Sequence, residues 1–101
     1  MNKDDNVRLF LAALQRRFGD AVAVVDHWEG DRLAVGVARR GTEEPLAYVC
    51  ARHHARGVRY YVALELPPSP GSDMPYVDAG ERADLTLDKA VDLVARHLAL
   101  S

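Results

Sequence analysis

The sequence predicts an α+β domain: an N-terminal helix, a four- to five-stranded antiparallel meander, and a C-terminal helix packed on the sheet. Three observations predict it. Apolar residues recur at helical spacing only near the two ends of the chain. Between them the spacing switches to a period of two. The breaks between the alternating runs are short, which favours hairpins between successive strands. Helices and strands segregated in this way belong to the α+β class.

The first helix is predicted over residues 5–18. Val7, Phe10, Leu11, Leu14 and Phe18 share one helical face. Asp4, Asp5 and Asn6 are candidate N-caps, and acids there suit the positive end of the helix dipole. Arg16 and Arg17 suit the other end, and Gly19 is placed as the stop.

Four strands are expected next. Residues 21–28 open with the β-branched run Val22, Val24 and Val25, and Glu29-Gly30-Asp31 reads as a tight turn. Residues 32–40 alternate, with Leu33, Val35 and Val37 on one face and Ala34, Gly36 and Ala38 on the other. Residues 46–52 and 58–66 resume the strand pattern, with a break at 53–57. Residues 67–75 hold four prolines in nine positions, which requires a stiff, extended surface loop. That loop is expected to cross from the sheet to the last helix or to present Met74 and Tyr76 for binding. Tyr76 and Val77 are candidates for a short fifth strand. Thr86 is a candidate N-cap for a final helix whose apolar face carries Leu87, Ala90, Val91, Val94 and Leu98, with Leu93 and Leu100 off that stripe.

At 101 residues the chain is one domain, with no linker or internal repeat. Its composition, 49% apolar and 28% charged, excludes disorder throughout and low-complexity structure. A chain of this size buries roughly 60–70% of its unfolded surface and needs neither metal nor disulfide to hold a core. Cys50 is the single cysteine, so no intrachain disulfide forms. There is no signal-peptide pattern at the start and no apolar run of membrane-spanning length, so a cytoplasmic location is expected. The order helix, meander, helix recurs among small bacterial adaptors, immunity-type proteins and secretion chaperones, an analogy of fold that assigns no function.

Partners follow from charge and from the sheet. A net charge of −2 argues against a dedicated nucleic-acid binder, because phosphate neutralisation supplies most of that affinity. The cations are eleven arginines against Lys3 and Lys89, a usage that either reflects a GC-rich genome or supplies planar bidentate contacts. One sheet face is expected to be large and apolar, carrying Leu33, Val35, Val37, Val58, Tyr60, Val62 and Leu64. The opposite face carries Ala34, Gly36, Ala38, Arg59, Tyr61, Ala63 and Glu65, a mixture suited to a partly wet interface or to a solvated face. Trp28, the only tryptophan, is either a core anchor for the first hairpin or an interface hot spot.

Two chemical constellations compete with that reading. Cys50-Ala51-Arg52-His53 has the spacing of half a zinc site, with Asp26, His27 and His97 as the remaining candidates. The same residues could form a nucleophilic Cys–His pair, although no flanking signature accompanies them. Arg52, His53, His54, Arg56 and Arg59, beside Tyr60 and Tyr61, could make a nucleic-acid surface on one hairpin. No phosphate loop, nucleophile elbow or metalloprotease motif is present. The expectation is a small non-catalytic protein that needs no cofactor and acts on a protein partner or on itself as a homo-oligomer, through Trp28, Arg59, Tyr61 and Glu65.

Overall fold

A computed structural model describes residues 3–25, 28, 30–42 and 45–100. It has helix α1 (Asp5–Phe18), strands β1 (Val22–Val25), β2 (Ala34–Arg39), β3 (Leu46–His54), β4 (Gly57–Leu66) and β5 (Val77–Leu85), and helix α2 (Leu87–His97). The strands form a five-stranded antiparallel meander in sequential order.

Local chemistry sets the ends of both helices. The Asp4 carboxylate accepts from Asn6 N at 3.0 Å and caps α1, which ends where Gly19 turns to φ 57°. The Thr86 hydroxyl accepts from Lys89 N and caps α2. The two helices share one face of the sheet. Phe10, Leu11 and Leu14 of α1 and Ala90, Val91 and Val94 of α2 pack with Val35, Val37, Ala47, Val49, Ala51, Tyr60 and Val62 in one core. Leu93 and Leu100, off the α2 stripe, lie partly buried against it. The Tyr60 hydroxyl crosses this layer and donates to Asn6 O at 2.8 Å, so the polar tip of a buried ring is satisfied.

Three expectations are corrected. First, the opening strand is shorter than 21–28: β1 is described over Val22–Val25, and Trp28 lies outside the ladder. Lys3 holds the following loop. Its ammonium, only 5% exposed with its residue, donates to Trp28 O and Asp31 O, while Asp4 N donates to Arg32 O. Leu33 therefore lies before β2 and is exposed rather than on the apolar face. Asp26, His27 and Glu29 lie outside the described residues.

Second, the break at 53–57 closes to a two-residue turn, Ala55-Arg56, because His54 pairs with Gly57 and Gly57 takes φ 122°. Third, the fifth strand for which Tyr76 and Val77 are candidates is present but longer, Val77–Leu85, and the proline-rich segment leads into it and not directly to the last helix. In β5 the register against β4 shifts twice, between Tyr60 and Val62 and between Ala63 and Glu65. Gly80 at φ 109° and Asp84 at φ 57° sit at these irregularities. Each bulge resets the inward–outward alternation, so a nine-residue strand carries no readable period. Bulges and charges also suit an edge strand, since both discourage pairing with a further chain.

Candidate functional site

The face of the sheet away from the helices carries the candidate site. Alternation puts Ala34, Gly36 and Ala38 of β2, Tyr48, Cys50 and Arg52 of β3, and Arg59, Tyr61, Ala63 and Glu65 of β4 on it. The register then places Gly36 beside Tyr48, Tyr48 beside Ala63, and Cys50 beside Tyr61. Neither α1 nor α2 covers this face, because both pack on the other.

Trp28 occupies the small-residue trough. A Cβ added to Gly36 would stand 2.4 Å from Trp28 Cζ3 and 2.7 Å from Val25 Cγ2, so only glycine lets the indole lie this close. The Trp28 ring meets Tyr48 edge-on, with centroids 4.9 Å apart, and Tyr48 meets Tyr61 in the same manner at 6.2 Å. The Arg52 guanidinium lies 4.5 Å from the Tyr61 centroid, and the Tyr61 hydroxyl donates to Glu81 of β5. A half-buried aromatic row thus crosses the sheet and ends in an arginine and an acid.

Charge is divided along the strands. Arg52 and Arg59 are cross-strand partners at the end near the β3–β4 turn. Glu65 pairs with Asp78 at the other end, and Glu81 pairs with Ala63 between them. Burial and the neighbouring Cys50 thiol push the Tyr48 hydroxyl up to about 12. The bond to Glu81 raises that of Tyr61, because it holds the neutral donor.

All four residues expected to contact a partner are in or near this surface. Arg59, Tyr61 and Glu65 occupy the face predicted for them. Trp28 joins them as a half-buried side chain on this face and is not part of the core between sheet and helices. Sequence reasoning missed Tyr48, the centre of the aromatic row, and Glu81. The signal for Tyr48 was present: two residues before Cys50 on an alternating strand, it shares that residue's face.

The sheet pulls the competing constellations apart. His53 faces the helix layer, with Nε2 3.5 Å from the Asp4 carboxylate. His54 Nε2 lies 3.8 Å from Asp84, and His97 Nε2 is within 3.0 Å of Leu46 O and 2.9 Å of Glu65 O. The Cys50 thiol is directed at Ala51 O, 3.7 Å away. Among the described residues no group of three or more His, Cys, Asp or Glu side chains converges to hold a metal ion. Of the proposed nucleic-acid hairpin, Arg52, Arg59 and Tyr61 are on the uncovered face, while Tyr60 is buried among the helices. Among the described residues no helix is long and apolar enough to cross a membrane. No family model matches the chain, and neither curated proteins nor solved structures give a match.

Proposed function

We propose that this protein is a small non-catalytic interaction module whose uncovered sheet face docks a protein surface. The observation that supports this best is the row Trp28–Tyr48–Tyr61, half-buried and framed by Arg52 and Glu81 on a sheet face that neither α1 nor α2 covers. Aromatic residues at the centre of a patch with charges around them match the core and rim of protein interfaces. The Arg52 guanidinium already lies against one face of the Tyr61 ring where a base would stack, and Glu65, Asp78 and Glu81 repel phosphate from the same surface. These two features favour a protein over a nucleic acid. A cytoplasmic setting is part of the proposal, since the lone thiol Cys50 has no disulfide partner to form.

Site-specific photo-crosslinking in cells tests the reading. A photoreactive residue replacing Glu81, at the margin of the row, is expected to give protein adducts. The same residue replacing Arg16, exposed on α1, is expected to give few. Equal labelling from both positions, or adducts with nucleic acid alone from position 81, would sink the proposal.

A further inference from the structure

Resting on that reading, we infer that the occupant of the uncovered face is a second copy of this chain, packed about a two-fold axis that runs across the strands. The argument is the order of charge along the face. Arg52 and Arg59 lie at one end and Glu65 and Asp78 at the other, with Tyr48, Tyr61 and Ala63 between. Six residues of strand separate Arg59 from Glu65, about 20 Å at ~3.3 Å per residue.

Two sheet faces can meet about a two-fold axis in two simple ways. An axis parallel to the strands sets arginine against arginine, and the like charges oppose contact. An axis perpendicular to the strands reverses strand direction while keeping strand order. It sets β4 against β4, with Arg59 of each copy over Glu65 of the other and the aromatic rows at the centre. The surface is therefore complementary to itself in one orientation only, as a closed isologous dimer requires. The centre suits this packing, because Gly36 is filled by Trp28 and Ala63 leaves no protruding side chain between the tyrosines.

The patch is small. Four strand spacings of ~4.8 Å by about 20 Å give at most roughly 400 Å² per protomer, and Ala34, Gly36 and Ala38 of β2 are already buried, so the contact is below standard interface size and in the weak, transient range. The dimer is thus weak, concentration-dependent and sensitive to salt at its charged ends.

Sedimentation equilibrium from micromolar to millimolar concentration, at low and high salt, tests this directly. Wild type is expected to dimerise at low salt. Arg59→Glu and Glu65→Arg are each expected to weaken self-association by roughly tenfold or more, since each sets like charges against one another. Mixed in equal amounts, the two variants are expected to form a heterodimer, because both cross-pairs are then opposite in sign. That rescue also shows that each variant is folded. A wild-type dimer that both variants leave intact, or variants that fail to rescue one another, overturns the proposed packing. A wild type that stays monomeric to millimolar concentration overturns the second copy as occupant. Adducts with a different protein at position 81 would then still uphold the docking reading.

Discussion

The two faces of the sheet use the same strands to opposite ends. On the helix side, β-branched Val35, Val37, Val49 and Val62 interlock with Phe10, Leu14 and Val94, all at or below 1% exposure. On the other side the same strands present alanine, glycine, tyrosine, cysteine and charge. One face gains stability from removing close-packed apolar area from water. On the other, Ala34, Gly36 and Ala38 are buried too, but as small residues, and the rest of that face is ordered by a single tryptophan laid over a glycine and by edge-on ring contacts. The contrast teaches that face assignment, not overall hydrophobicity, separates what holds this domain together from what it offers to a partner.

Three perturbations sharpen that contrast. The largest effect belongs to the helix side. Phe10→Ala removes a fully buried ring that packs 5.9 Å from Tyr60, at a cost of about 3–5 kcal/mol. With each kcal/mol worth roughly 4–8 °C in a domain of this size, thermal melting monitored by circular dichroism should fall far or vanish. A loss no larger than that of a surface substitution would mean that the two faces contribute alike.

An intermediate effect is expected from Gly36→Val. The new side chain takes the volume of the Trp28 ring, and overpacking of this kind costs about 1–3 kcal/mol. Displacing the indole exposes it, so Trp28 fluorescence should shift to the red while the helices remain. An unchanged emission maximum would refute the glycine–tryptophan contact.

The smallest effects are in the titrations, one on each side. In acid, the Asn6 backbone amide donating to the Asp4 carboxylate lowers the pKa of that group below its ordinary value of 3.8. The folded state then binds fewer protons than the unfolded one, so this stabilisation is present above that value and is lost as pH falls through the folded pKa. In alkali, Tyr48 is raised from 10.0 to about 12, so the folded state holds its proton longer. Its stabilisation is present below pH 10.0 and lost as pH rises toward the folded value. Ultraviolet titration of wild type against Tyr48→Phe should remove the last phenol to ionise before alkaline unfolding. Removal of an earlier-ionising phenol instead would show that Tyr48 is not held as described.

The sequence by itself determined the helices, four of the five strands and the partition of β2 and β4 between faces. These are local properties. Helical and strand periods are set by backbone geometry within a few residues, so Val35 and Gly36 must point apart whatever lies above them. Asp4 and Thr86 cap helices through bonds to amides only two or three residues away. For the same reason three of the four expected contact residues were legible on one face.

The tertiary structure alone decided the rest, because those features depend on residues distant in the chain. Both helices lie on one face, and nothing in either helix by itself specifies which side of the sheet it takes. Trp28 sits on the uncovered face because Lys3 ties its backbone and that of Asp31 to the N-terminal segment and Gly36 leaves room for an indole. The fifth strand pairs through two bulges that erase its period, so the ladder with β4 defines it and its own residues do not. Register then turns Tyr48, Tyr61 and Glu81, scattered over three strands, into one surface. Alternation tells each side chain which way to point, but only strand pairing tells it what stands beside it.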